Sequence, residues 1–467
     1  MESVNDVKKS HKEVFMLLNF KIKNVLSYKD LTEFSLVAGP VKRKKERVFE
    51  ASDISVLKFS AIYGANASGK SNLIKALQFM KNFVIFGRPK LIKPYYYKLN
   101  FDCELPETSY FEVEVRIGKK NYAYGFTFNF YKNIFESEWL YQLTTRGEKK
   151  IFERDIINGK FDFNIDLDGE LKTKFDVYTD DLKKDTTTLF ITFMFYKENN
   201  FKEPKLKIIK EIVYWFGYQL DISRPDTVLT SSDYYLFNDK LQELSALLKA
   251  FDTGIEEIET IDVSESEVNT SISQDILEKV KRDFEKYINS NRKKLSLVRT
   301  GGKFWIFEYF KGIISYKKVA FFHDVDKKIE FSINEESEGT IRILDLAEIL
   351  LTQESNKVFI IDELDRCLHP QLTVKFIQLF LEKAKELNNQ LIVTTHESRL
   401  LDFEILRRDE IWFVNKDKGS SNLYSLEEYN ERFDKKIDKA YLDGRYGGVP
   451  IFDNIFPVIF NYHENNE

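Results

Sequence analysis

The octapeptide Gly64-Ala65-Asn66-Ala67-Ser68-Gly69-Lys70-Ser71 constrains this chain most, because it fills the pattern G-x-x-x-x-G-K-[ST] at every position. Its surroundings fit as well. A short β-rich segment, Val56–Tyr63, enters it, and a segment with Leu73, Leu77, Met80 and Val84 at helical spacing leaves it. Glycines let the backbone turn tightly and bring its N–H groups close to phosphate oxygens. The helix that follows adds partial positive charge at its N-terminus. Lys70 can then reach the β- and γ-phosphates of a nucleotide, and the Ser71 hydroxyl can ligate Mg²⁺. The alternative is an ordinary glycine-rich turn with a surface lysine, and the strand–loop–helix context weighs against it.

A second constellation lies almost three hundred positions downstream. The apolar run Val358-Phe359-Ile360-Ile361 ends in Asp362-Glu363. In a parallel sheet the carboxyl ends of strands face the ligand crevice, so Asp362 is suited to hold Mg²⁺ and Glu363 to polarise an attacking water. Adjacent residues on a strand point to opposite faces, so the two acids should differ in role. Thr394-Thr395-His396 ends the next strand and places His396 as a polar sensor near the γ-phosphate. Ser337-Glu338-Gly339-Thr340 precedes a helix from Ile341; alone it reads as a helix cap. Beside the other motifs it can offer a helix dipole to the γ-phosphate of a nucleotide held by a second subunit. The bland readings are an exposed acidic strand end and a structural histidine.

From residue 341 a helix, a strand, a helix and a strand alternate, which implies a parallel sheet with right-handed crossovers. Earlier, strands are expected around Phe15–Ile22 and Leu31–Val37, with a turn near Ser27–Asp30, and through residues 109–145 with a hairpin turn at Gly118-Lys119-Lys120-Asn121. Residues 185–220 and 238–252 read as helical, and Leu277, Val280, Phe284 and Ile288 keep helical spacing over 274–290. Gly301-Gly302 interrupts the pattern and 303–333 returns to strands. No internal repeat or long heptad run is present. The resulting division is 1–150, with the phosphate loop and a β-lobe; 151–330, a helical insertion ending in strands; 331–415, carrying the later motifs; and a tail, 416–467.

Composition bounds the rest. With 41 Phe and 24 Tyr in 467 residues, Phe is the main core filler. The net charge of −5 excludes a generally basic DNA-coating protein, although residues 42–47, KRKKER, form a local charge run expected to be a solvated loop. Cys103 and Cys367 lack C-x-x-C spacing, which argues against a disulfide framework or a cysteine zinc site and for a reducing cytoplasm. No apolar run approaches the roughly 18 residues of a membrane span.

The stretches GANASGKSN (64–72), SEGTIRIL (337–344), FIIDELDRCLHPQL (359–372) and TTHESRLLD (394–402) together resemble the ABC-type ATPases related to SMC proteins, long-armed double-strand-break repair ATPases and OLD proteins. They are more similar to the AAA family ATPases of bacterial anti-phage and abortive-infection systems. FEVEV, YAYGF and ESEWL look like the β-rich lobe of that group. The resemblance implies an α/β fold: a P-loop ABC-type core with a mixed sheet and β-rich lobe, plus a mainly helical insertion. It implies ATP and Mg²⁺ as cofactors, with Gly64, Asn66, Ser68, Gly69, Lys70, Ser71 and Asn72 around the nucleotide and Asn66 on phosphate or water. Ser71 and Asp362 then hold the metal, and Glu363 and His396 are catalytic. Ser337, Gly339 and Thr340 close the site in trans, with Asp365 and His369 in a dimer-interface loop. A homodimer, or a higher even oligomer such as a hexamer, follows. ATP over GTP is not fixed by any base-reading motif.

The chain departs from the SMC and repair ATPases in its arm and from the OLD nucleases in its tail. No long arm exists, and about 70 residues follow His396, too few for a Toprim nuclease of roughly 100 residues plus linkers. The tail Ala440-Tyr441-Leu442-Asp443-Gly444-Arg445-Tyr446-Gly447-Gly448-Val449-Pro450 looks like that of ATPases paired with RloB-like or Toprim effectors, as in PARIS-type defence. It reads equally as a partner-docking segment or a packed terminal turn. The favoured expectation is an ATPase acting as sensor and scaffold for a separate toxic nuclease, released by a phage trigger. Two others stand beside it. One is an SMC-like, DNA-binding repair or remodelling ATPase, suggested by the 42–47 run. The other is a nuclease using Asp176, Asp180 and Asp181, against which a solvated acidic loop is the plainer reading.

Overall fold

The computed structural model describes residues 13–88, 95–98, 108–197, 204–224, 229–230, 233–285, 293–324, 326–428 and 437–442. Cys103, Ile288 and the tail motif beyond residue 442 lie outside them.

Strand β1 (Phe15–Lys23) pairs with β2 (Thr32–Ser35), and a small hairpin of β3 (Val48–Glu50) and β4 (Ser55–Leu57) precedes β5 (Phe59–Gly64) and helix α1 (Lys70–Phe86). A meander follows, through β6 (Ser109–Ile117), β7 (Lys120–Asn129), β8 (Ile134–Thr144), β9 (Gly147–Asp155) and β10 (Lys160–Phe163). Helices α2 (Gly169–Leu182), α3 (Phe190–Tyr196) and α4 (Lys207–Tyr214) lead to β11 (Leu220–Ser223). Next come α5 (Asn238–Ala250), β12 (Glu257–Val263), α6 (Glu265–Ser271), α7 (Gln274–Glu285), β13 (Lys294–Thr300), β14 (Lys303–Phe310), β15 (Ile313–Phe322) and β16 (Glu330–Phe331). The chain ends with α8 (Glu338–Leu351), β17 (Val358–Ile361), α9 (Pro370–Lys383), β18 (Gln390–Thr394), β19 (Ile411–Asp417), β20 (Ser420–Ser425) and α10 (Ile437–Leu442).

The fold is α/β, with a central six-stranded sheet in the order β11-β17-β18-β5-β19-β20. All its pairings are parallel except the closing β19–β20 hairpin. Strand alternation divides its side chains between two cores. Ile62, Ile360, Ile392 and Trp412 face one, while Phe59, Ala61, Phe359, Leu391 and Phe413 face the other. The second face is covered by α5, α8 and α9. The first carries α1, which the seven-stranded antiparallel sheet β10-β9-β8-β7-β6-β1-β2 packs against from outside. Phe79 and Phe83 of α1 enter a cluster with Phe111, Phe126, Phe128 and Phe135 of that sheet, with centroids 4.9–6.5 Å apart. This explains the phenylalanine content: flat rings fill a wide gap between helix and sheet.

Residues 151–330 contain helices α2–α7, and their strands serve three different sheets. β10 extends the antiparallel sheet, β11 forms an edge of the central sheet, and β12–β16 build a separate five-stranded one. Residues 185–220 hold α3 and α4 as expected but end in β11, whose four residues are too few to show a period. The basic run at 42–47 is partly docked rather than free: Lys44 and Arg47 donate to the carbonyls of Glu404 and Ile405. Asp176, Asp180 and Asp181 line the exposed face of α2, and Asp180 pairs with Lys183. Among the described residues no group of three or more His, Cys, Asp or Glu is placed to hold a metal ion, and no helix is long and apolar enough to cross a membrane.

Candidate functional site

β5 ends at Gly64, and the loop to α1 is bound closely on its outer side. A side chain at Gly64 would place Cβ 2.4 Å from the Val414 carbonyl oxygen. At Gly69, where φ is 123°, Cβ would lie 2.2 Å from Ser421 Oγ. Both positions therefore require glycine, the second for conformation as well as space. The Ser421 hydroxyl donates to the Ser68 carbonyl and is hydrogen-bonded with Ser27 Oγ, and Tyr28 donates to the Gly69 carbonyl. These contacts hold the loop from behind. The Ser68 hydroxyl is buried without a partner, next to the Gly64 position that packs on Val414, and Asn66 stands exposed at the crown.

Lys70 turns back into the loop. Its Nζ donates to the carbonyls of Gly64 at 2.6 Å and Ala65 at 3.1 Å, and lies 3.1 Å from His396 Nε2. Burial pushes the ammonium down to about 8, against the pull of Asp362, Asp365 and Glu363. Desolvation and the Lys70 charge also hold His396 below its ordinary value. A neutral imidazole with Nε2 accepting from Lys70 is the arrangement consistent with both shifts.

Three strands converge on Asp362, which is 4% exposed. Its Oδ1 accepts from Ser71 Oγ at 3.0 Å and from Thr394 Oγ1 at 2.7 Å, and its N–H donates to the Ser223 carbonyl at 2.9 Å. Glu363 adopts φ 53°, in the left-handed region. Its N–H donates to Thr394 Oγ1 at 2.8 Å. Glu363 is partly exposed, whereas Asp362 is buried. The His396 N–H donates to both Asp365 oxygens, at 3.2–3.3 Å, so Asp365 bridges the two strand ends within one chain.

The structure thus brings together Gly64, Ser68, Gly69, Lys70, Ser71, Asp362, Glu363 and His396. Asn72 turns aside and donates to Ser27 Oγ. Ser337, Gly339 and Thr340 stand apart, at the N-terminus of α8. Ser337 caps it by accepting from the Thr340 N–H at 3.0 Å, Ser337 and Glu338 are exposed, and Gly339 packs on the Cys367 carbonyl. His369 caps α9. Four contributors were given no role from the sequence: Ser27, Ser421, Arg342, which lies within SEGTIRIL, and Tyr441. Tyr441 of α10 stacks on Phe413, and its phenol oxygen accepts from the Gly64 N–H. It lies in the tail stretch singled out above, so composition pointed to the segment but not to this contact.

Residues 59–402, well over half of the chain, match the family described as "AAA domain, putative AbiEii toxin, Type IV TA system". The chain belongs to this AAA-domain family. It is therefore an ATPase-type protein. Solved structures with a similar outline include three SMC heads. An SMC head bound to the C-winged helix domain of ScpA has a TM-score of 0.37 at 14% identity, covering 88% of this chain and 98% of that one. The SMC head domain from Thermotoga maritima has 0.34 at 12%, covering 88% and 98%. An SMC head with an extended coiled coil, bound to the C-terminal domain of ScpA derived from Pyrococcus furiosus, has 0.34 at 14%, covering 89% and 97%. No curated protein matches the chain.

Proposed function

We propose that this chain binds and hydrolyses ATP with Mg²⁺ in a site completed by a second copy of itself, and that this cycle controls a separate toxic effector in defence against phage. The observation that carries the reading is the convergence on Asp362, where Ser71 and Thr394 both donate to one carboxylate oxygen at 3.0 and 2.7 Å. A buried carboxylate fixed beside the phosphate-loop hydroxyl is the donor set a nucleotide-bound Mg²⁺ needs. The inturned Lys70 fits the same occupant.

Ser71 and Asp362 would hold the metal. Lys70 would exchange two neutral carbonyls for charged phosphate oxygens, a stronger set of acceptors. The loop N–H groups of Gly64–Ser71 would surround the phosphates, with Asn66 at the outer end. When bound, Mg²⁺ and the triphosphate supply charge neutralisation and a leaving group. Glu363, turned out of the strand, would take a proton from the attacking water, and neutral His396 would orient the same region. The helix start at Ser337, Gly339 and Thr340, exposed at Ser337, would meet the nucleotide of the second copy, in a dimer or a higher even oligomer. The toxin named in the family description supports a defence setting; the nuclease would be another polypeptide.

Equilibrium binding of a fluorescent ATP analogue, together with phosphate release, tests the site. Lys70→Ala should abolish binding. Glu363→Gln should bind normally and lose turnover, because the metal site survives the loss of the base. Normal phosphate release from Glu363→Gln rejects the assignment. Purification with the neighbouring gene product tests effector control, which is rejected if no partner associates under any nucleotide condition.

A further inference from the structure

Arg342 sits on α8, five residues past Ser337, among the apolar positions Ile343, Leu344, Leu346 and Ala347. It is 5% exposed. A buried arginine normally meets a carboxylate or several carbonyls, as Arg154 does with Glu138 and the carbonyls of Thr188, Leu182 and Asp185. Arg342 does not. Its Nε and Nη1 are buried without a partner. The nearest acid on its helix, Asp345, accepts from Arg299 instead, at 3.1 Å.

What Arg342 does touch is specific. Its Nη2 lies 3.5 Å from the Asp362 carbonyl oxygen and 3.4 Å from that of Glu363. These are long contacts against an N–H···O mode of about 2.9 Å, so the guanidinium has donor capacity in reserve. Glu363 is therefore held at both ends of its residue: Thr394 takes its N–H, and Arg342 reaches its carbonyl. Its φ of 53° is one that surrounding contacts must impose. The same α8 presents Ser337 and Glu338 to solvent and packs Gly339 on the Cys367 carbonyl.

We propose that Arg342 is a positioning residue that ties the Ser337–Thr340 helix start to the Glu363 backbone, so that seating of α8 on a second copy re-aims the Glu363 carboxylate. The inference rests on the composite ATP site proposed above. A shift of a few tenths of an ångström in α8 brings the guanidinium to normal hydrogen-bonding distance of both carbonyls. A buried arginine among apolar neighbours is then a mechanical link, with its donors placed where the link is made.

The experiment compares wild type, Arg342→Gln, Arg342→Lys and Lys70→Ala for ATP hydrolysis, for equilibrium binding of ATP with Mg²⁺, and for melting temperature. Arg342→Gln is expected to lower kcat at least about tenfold, the scale of a misplaced catalytic group, while KM and Kd stay within about threefold. Arg342→Lys, which keeps a charged donor group on a different geometry, should recover part of kcat. Melting within a few degrees of wild type shows that the fold survives. The proposal is overturned if kcat of Arg342→Gln stays within threefold of wild type, or if Kd weakens in parallel with kcat, as general disruption would cause. Arg342→Gln behaving normally while Lys70→Ala is dead removes this link and leaves the ATP site standing. Hydrolysis that survives Lys70→Ala removes both.

Discussion

Lys70 is a cation with 6% exposure whose hydrogen-bond partners are two neutral carbonyls and an imidazole nitrogen. Its value of about 8 lies below the ordinary lysine value of 10.5. Between those values the unfolded chain carries the proton and the folded one has shed it, so this residue makes stability rise with pH across that window. Lys70→Met should flatten the rise, and melting curves from pH 7.5 to 10 without nucleotide would show it. Phosphate favours the charged form, so ATP binding near pH 8.5 should take up a proton, visible as buffer-dependent heat in calorimetry. Tyr441→Phe deletes the acceptor of the Gly64 N–H at a 4%-exposed position. It should cost about 1–3 kcal/mol in denaturant unfolding and weaken ATP binding. Unchanged affinity would mean that α10 does not support the loop.

At the scale of elements, the antiparallel sheet is fixed to the helices beside it by one buried pair. Arg154 on β9 meets Glu138 on β8 at 2.8 Å, both side chains fully buried. Glu138 also accepts from the N–H groups of Phe190 and Ile191, which start α3. Arg154→Ala should therefore cost about 3–5 kcal/mol, because a buried carboxylate loses its counter-charge. A loss below 1 kcal/mol in urea unfolding would contradict this. The helix after the phosphate loop and α9 could be placed from their helical periodicity, and β17 and β18 from their continuous apolar runs before polar strand ends. β11 could not: its four residues enter the central sheet because β17 offers an open edge, not because of their own pattern. The strands of residues 257–300 escaped for a related reason, being half-exposed and rich in charged residues.

For the whole molecule, Glu363→Gln should trap a closed dimer on ATP, with light scattering showing about twice the monomer mass and no shift without nucleotide. A monomer at saturating ATP would refute the composite site. Local chemistry in the sequence determined the phosphate loop, the Asp362-Glu363 strand end and His396, because each needs particular residue types at fixed spacing. Only the tertiary structure decided what holds them. Ser27, Ser421, Tyr441 and Arg342 act through contacts spanning up to 394 residues of chain, and nothing in the sequence marks those contacts, even where the residue lies in a recognisable stretch. A serine behind a loop or an arginine under a strand gains its meaning from the atom it faces, and that depends on how separate segments pack together.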